Sequence, residues 1–336
     1  MISDPSRPYV ENDRRFKLFG SHVRVLIGEP VRPGLPSPEA MGIQIEFFLR
    51  LLHRKLTRFD AGSELCALNA EPGESCSVSP TLAVAVNAAL WAAQRSDGLV
   101  DPTLVGELED AGYASSRADL PPAGIEDALA VAPERKPASA RGDSRWRDVA
   151  VDAVAGVVTR PPGVRIDTGG SGKGLAADLA ADRLGGYESF VVDAGGDLRL
   201  GGEQPPERLV RIDHPLAAET AHEFMLDRGA VATSGIKTRL WQTDSGFAHH
   251  LLDPSTGEPA WTGVIQATSL GATALEAETL AKMAFLSGPE SAGQILADQG
   301  GLIVLEDGTV ELYGRLAERT GAHSESGERA EEVVAA

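Results

Sequence analysis

The stretch VRIDTGGSGKGLAADLAADRLGGYESFVVDAGGD, from Val164 to Asp197, changes its hydrophobic period twice. Val164 to Asp167 reads as a short strand, the following glycines as a loop, about Gly174 to Leu184 as a helix closed by Gly185, and Phe190 to Asp193 as a second strand. Glycines let backbone amides approach an anion, the helix N-terminus offers its positive dipole end, and Lys173 adds a point charge. The succession suggests a phosphate-handling unit, although a plain strand-to-helix turn reads equally well. It is not a Walker A loop. Asp167 stands where that motif needs its first glycine, and Gly174 where it needs a magnesium-binding Ser or Thr. Nor is it a GxGxxG dinucleotide fingerprint. Asp193-Ala-Gly-Gly-Asp197 then ends the second strand in a tight turn.

On the N-terminal side, Val149 to Val158 reads as strand, and residues 114 to 145 are a Pro, Ala and Arg rich connection or small insertion. Two helices open on Ser37-Pro38 and Ser79-Pro80, with Ser as N-cap and Pro in the first helical position. They flank the turn-rich FDAGSELCALNAEPGESCS, and His22 to Ile27 alternates as a strand. Residues 1–15 are expected to be a polar arm.

On the C-terminal side, Gly229-Ala-Val-Ala-Thr-Ser-Gly235 is a small-residue strand end with Arg239 close behind. His249-His250 runs into a turn at Asp253, and either histidine suits a general base at neutral pH or a satisfied structural position. Thr273 and Glu276 form a capping-box pattern, and Glu278 and Lys282 share one helical face as an expected surface ion pair. A weaker helix near 289–299 precedes a hairpin over Gly301 to Tyr313, turned at Asp307-Gly308.

The 336 residues carry 31 Lys+Arg against 49 Asp+Glu, a formal net charge of −18. That balance argues against nucleic acid and against an anionic membrane as partners, since both need a dense positive surface. No stretch approaches the ~20 consecutive apolar residues of a membrane helix. The N-terminus lacks the apolar core of a signal peptide, and Cys66 and Cys76 form no metal or disulfide pattern. A cytoplasmic protein with reduced thiols is expected. Residues 317–336 hold five acids and two bases without apolar periodicity and are expected to be a disordered acidic tail.

Taken together and in order, the motifs resemble the FAD:protein FMN transferase family, also called ApbE-like. Phe16-Lys-Leu-Phe-Gly-Ser21 is similar to the family's F-x-x-M-G-T, Ser63 to Asn69 to S-E-L-x-x-L-N, and Ser96 to Thr103 to T-G-G-x-F-D-P-T. Asp167 to Gly174 resembles D-x-G-G-x-A-K-G, Gly195-Gly-Asp197 resembles G-G-D, Ala232 to Gly235 the T-S-G element, and His250 to Gly257 H-I-I-D-P-x-T-G.

The resemblance spans about Phe16 to Gly314 and implies an α+β fold of two parts, mixed sheets and helices, with a flavin cleft between them. One domain over residues 16–316 is expected. The implied activity is transfer of the FMN half of FAD to a Thr or Ser hydroxyl of an acceptor flavoprotein, with release of AMP. Two alternatives stay open: FAD binding without transfer, and hydrolysis of FAD to FMN and AMP.

The resemblance implies His250 and Lys173 as catalytic residues. It implies Phe19, Asp101, Pro102, Thr103, Gly169, Gly170, Lys173, Asp197, Thr233, Ser234, Arg239 and Asp253 as contacts for FAD. Phe19 replaces a family Met that touches the flavin ring. Family members hold Mg²⁺ through an Asp, a Thr four residues later, and a loop carbonyl. Those positions are Glu278, Lys282 and Gly172 here. Lysine cannot ligate a metal. Either Glu278 and nearby oxygens still hold Mg²⁺, or the Lys282 ammonium takes its place.

Overall fold

The computed structural model describes residues 11–319 and 332–335. The strands β1 (Asn12–Leu18) and β2 (Ser21–Ile27) form a hairpin, followed by α1 (Pro38–Leu56), α2 (Glu64–Ala70), β3 (Ser75–Ser77) and α3 (Pro80–Arg95). Next come α4 (Val105–Leu108), α5 (Ile125–Val131), and the hairpin of β4 (Ala150–Asp152) and β5 (Val157–Thr159). After α6 (Gly172–Ala181) lie β6 (Phe190–Asp193), β7 (Leu198–Gly201), β8 (Arg208–Asp213), β9 (Thr220–Leu226) and β10 (Gly229–Gly235). The chain continues through β11 (Leu240–Thr243), β12 (Gly246–His249), β13 (Val264–Gly271), α7 (Ala274–Ser287) and α8 (Pro289–Leu296). It closes with β14 (Gly301–Leu305), β15 (Val310–Tyr313), α9 (Arg315–Arg319) and β16 (Glu332–Ala335).

Eight strands form one sheet in the order β1-β2-β6-β7-β10-β13-β14-β15, and every neighbouring pair is antiparallel. Side chains alternate across such a sheet, so each strand feeds two cores. Val25, Ile27 and Val192 point to the layer of α1 and α6, with Ile45, Leu49, Ala176 and Ala180. Leu26, Val191, Leu198 and Val231 point the other way, toward Val210, Ile212 and Phe224 of β8 and β9. A second part joins α2, α3 and the three-stranded sheet β3-β5-β4 around Leu65, Leu68, Leu82, Val86 and Val158. This is the α+β architecture expected from the sequence.

The helix starts follow their capping chemistry. Ser37 Oγ accepts the Ala40 amide at 3.2 Å, Ser79 Oγ the Leu82 amide at 3.4 Å, and Thr273 Oγ1 the Glu276 amide at 3.2 Å.

Three expectations change. Asn12–Leu18 lies partly within the expected polar arm yet forms β1, whose charged residues are held by Arg24–Asp13 at 3.0 Å and Arg14–Glu46 at 2.5 Å. Residues 1–10 lie outside the described residues. In the expected tail, Glu332–Ala335 runs parallel to β8, giving the β-branched Val333 and Val334 a free sheet edge to join. Residues 320–331 and 336 lie outside the described residues.

Third, Val164 to Asp167 is extended but joins no sheet. Its partner is a side chain: the Asn69 amide donates to the Ile166 carbonyl at 2.8 Å, and its oxygen accepts the Ile166 N–H at 2.8 Å. One amide thereby replaces a neighbouring strand and sets the entry to the glycine loop.

Helix α6 crosses α7 closely. A Cβ on Gly174 would lie 2.5 Å from the Ala274 carbonyl oxygen and 2.7 Å from its carbon, both backbone atoms. Gly174→Ala should therefore destabilise the protein by about 1–3 kcal/mol through overpacking. Gly172, two residues earlier, has nothing within 4 Å of such a Cβ, so Gly172→Ala should be near neutral. Denaturant unfolding of the two variants checks this, and equal midpoints would contradict the close crossing.

Candidate active site

The first turn of α6 carries Lys173 and Gly174 directly after the glycine loop. Lys173 Nζ lies 2.9 Å from Asp197 Oδ2 and donates to the Gly195 carbonyl at 3.2 Å. Gly195 and Gly196 turn with φ of 81° and 93°, a left-handed backbone that favours glycine. Asp193 Oδ1 accepts both of their amides, at 2.9 and 2.8 Å. Burial pushes the Asp193 carboxyl up to about 6, and the nearby Asp197 charge adds to the rise.

Helix α7 brings Glu278 and Lys282 to the same place. Glu278 Oε2 accepts the Gly174 amide at 2.9 Å, and Oε1 accepts from Lys282 Nζ at 2.9 Å. The expected surface pair is buried instead, with side-chain exposures of 1% for Glu278 and 11% for Lys282. The reason is the Gly174 crossing, which draws α6 onto the face of α7 that carries them. Burial raises the Glu278 carboxyl above its ordinary range against the opposing pull of Lys282. Both Glu278 oxygens are thus occupied, and an ammonium has no lone pair for a metal. Among the described residues no cluster of three or more His, Cys, Asp or Glu side chains is arranged to hold a metal ion. The ammonium at position 282 does not fit Mg²⁺.

His250 follows β12. Burial holds its imidazole well below the ordinary histidine range, and Arg239, His249, Lys282 and Lys173 push it further down, so it is neutral at pH 7. Its neighbour His249 is a core residue, held down to about 3 by burial and packed edge-on to Trp261 at 4.9 Å. Arg239 donates to the carbonyl of Phe19 at 3.3 Å. Phe19 sits at the β1–β2 turn with φ 55° and meets His53 edge-on at 5.4 Å.

Asp101, Pro102 and Thr103 adjoin the glycine loop. The Pro102 carbonyl accepts the Asp167 amide at 2.8 Å, and Asp101 Oδ1 accepts the Thr103 amide at 2.7 Å and hydroxyl at 2.6 Å. Gly169 donates its amide to Asp167 Oδ1 at 2.9 Å, while Gly170 packs beside Val100. Thr233 pairs with the Thr268 hydroxyl at 2.8 Å across β10 and β13, with Ser234 buried next to it. Asp253 accepts the Ser139 and Ser255 amides, both at 3.0 Å, and so shapes a turn. No hydrogen bond or ion pair among the described residues joins Thr233, Ser234 or Asp253 to Lys173 or Lys282.

Unsatisfied buried polar atoms are rare in folded proteins. Here Asp101 Oδ2, Asp197 Oδ1 and His250 Nδ1 are buried without a hydrogen-bond partner. A groove of about 610 Å³ lies elsewhere, beside Trp91, Trp146 and Val151, and none of these residues lines it.

Two residues the motifs did not single out hold the site together. Arg58 Nε lies 3.2 Å from Asp167 Oδ2, and its guanidinium lies over Phe59 at 4.3 Å and Tyr113 at 4.6 Å. Asp178 accepts the first amides of α7, Ala274 at 2.8 Å and Leu275 at 2.9 Å. Neither has a periodic or motif signal in the sequence. Chemically, the cluster offers placed cations and a helix N-terminus for an anion, with a neutral imidazole able to accept a proton.

The ApbE family model matches residues 19–305. The "FAD:protein FMN transferase" of Rhodobacter capsulatus is 30% identical over 298 residues, covering 84% of this chain and 54% of its own length. This chain therefore spans about half of that relative. The protein of the same description from Treponema pallidum is 28% identical over 276 residues, covering 76% of this chain and 75% of its own. The crystal structure of the ApbE protein of Thermotoga maritima superposes with a TM-score of 0.72 at 26% identity, covering 90% of this chain and 97% of that one. With the glycine loop, the Gly-Gly-Asp turn and the α6–α7 crossing in place across this span, the chain belongs to the ApbE family.

Proposed function

We propose that the protein is an FAD:protein FMN transferase, moving the FMN moiety of FAD onto a Thr or Ser hydroxyl of an acceptor flavoprotein. The observation that carries this reading is the pair of unsatisfied buried atoms on Asp197 and His250 near Lys173 at the start of α6, with a third on Asp101 beside the glycine loop. The N–H and O–H groups of a polar heterocycle and its sugar chains supply donors for the two carboxylates, and a dianionic pyrophosphate suits Lys173. The acceptor is a protein carrying a flavinylation motif, and the acidic chain is not directed to nucleic acid. A cytoplasmic setting suits Cys66 and Cys76 as free thiols.

In this reaction the acceptor oxygen bonds to the FMN phosphorus and the bridging P–O bond breaks, its electron pair leaving with AMP. Such phosphoryl transfer depends mainly on positioning and charge neutralisation. Lys173 and the α6 amides hold the pyrophosphate, and Arg239 steadies the Phe19 backbone beside the flavin. His250 takes the hydroxyl proton. Its depressed basicity rises when the dianion binds close by, because a negative charge favours the imidazolium. Asp101 and Asp197 supply acceptors to FAD.

Incubation with FAD and a threonine acceptor peptide, read by mass spectrometry, should yield the FMN adduct with stoichiometric AMP. AMP without adduct would indicate hydrolysis, and intact bound FAD would indicate binding alone. His250→Ala should lower transfer by about 10²-fold or more while FAD stays bound. Because the free imidazole is held below its ordinary value of 6.5, kcat/KM should persist below pH 6.5 and fall only in more acid solution. An acid limb at or above 6.5, or a His250→Ala variant of near-normal rate, would remove His250 from the step.

A further inference from the structure

We propose that the Lys282 ammonium, together with Lys173, supplies the charge that neutralises the pyrophosphate of FAD, so that this chain binds and turns over FAD without a divalent metal. The proposal rests on the reading above that FAD is the substrate.

Three observations carry it. First, both oxygens of the carboxylate in the position the resemblance assigns to a metal are already engaged. Glu278 spends Oε2 on the Gly174 amide and Oε1 on Lys282 Nζ, each at 2.9 Å. An incoming Mg²⁺ would have to share these oxygens with two donors and sit beside a repelling ammonium.

Second, the Lys282–Glu278 pair is buried. Removing two charges from water is costly, and a hydrophobic pair of similar volume often serves stability as well. The pair as a whole is therefore weak evidence of a stabilising device, and a role for its cation toward an anionic substrate accounts for keeping it.

Third, Lys282 shares its space with the residues of the site. Its charge acts on His250 alongside those of Lys173 and Arg239, and the Asp197 charge acts on Glu278. Lys173 and Lys282 stand beside Asp197 and Glu278, and Arg239 bears on the same imidazole as both lysines. As the P–O bond to AMP breaks, negative charge grows on the leaving phosphate. A fixed cation already in place stabilises it without reorganisation.

FAD titration followed by flavin fluorescence tests this, with the peptide transfer assay run alongside. The native protein should bind FAD equally in excess EDTA and in Mg²⁺, to within about twofold, as expected when no metal links to binding. Lys282→Met should weaken FAD binding by at least ~10-fold in both conditions, the loss of one placed charge. Lys282→Thr should bind FAD weakly in EDTA and recover in Mg²⁺. Loss of native FAD binding in EDTA with recovery in Mg²⁺ would overturn the proposal, as would unchanged EDTA binding by folded Lys282→Met. The native measurement decides even where a variant fails to fold. Metal-free, Lys282-dependent binding without an FMN adduct would uphold the inference and sink transfer instead.

Discussion

The contact between Gly174 and the backbone of Ala274 sets where everything else in the site can lie. Because residue 174 has no side chain, α6 and α7 approach closely enough for the Gly174 amide to reach Glu278. The same crossing lets Asp178 of α6 accept the first two amides of α7. Each helix thus satisfies an end of the other that would otherwise leave buried donors unpaired. Lys173, one residue before the crossing, is delivered to the Asp197 turn. Lys282, one helical turn after Glu278, is delivered to the same region. A shift of either helix would separate the lysines and leave the Glu278 charge buried without its partners.

This arrangement concentrates positive charge locally within an acidic chain. Net charge acts over the Debye length, about 8 Å at physiological ionic strength, whereas the cluster acts at contact in a poorly solvated place. The −18 of the chain says which large surfaces will be repelled. It says little about a site where Lys173, Lys282 and Arg239 all bear on one imidazole. Counting charges excludes partner classes but cannot locate a pocket.

Much of the fold is legible in the sequence because local chemistry decides it. Ser37, Ser79 and Thr273 cap helices as their positions suggest, and Asp307-Gly308 turns the last hairpin between β14 and β15. What is illegible depends on contacts distant in sequence. β1 looks like a polar arm because its partners, Glu46 and Arg24, lie elsewhere in the chain. Val164 to Asp167 looks like a strand because nothing local shows that Asn69 will take the place of its neighbour. The helical spacing of Glu278 and Lys282 correctly gives their contact, yet no i,i+4 rule states which face of α7 is buried. Arg58 and Asp178 are missed for the same reason: each earns its place through a partner about a hundred residues away in sequence, Asp167 and the start of α7.

Glu278 and Lys282 make sense only as a pair. A lysine four residues after a carboxylate on a helix brings its ammonium over that carboxylate, the favourable orientation for an acid preceding a base. The carboxylate must still reach the Gly174 amide, and here one group spans both contacts at 2.9 Å. Glutamate has one methylene more than aspartate, which lets its two oxygens serve an amide on one helix and an ammonium on its own. With aspartate the shorter side chain would have to favour one of them. The longer acid and the lysine thus form one unit, a cation tied through Glu278 to the backbone of α6, whose position depends on the helix crossing.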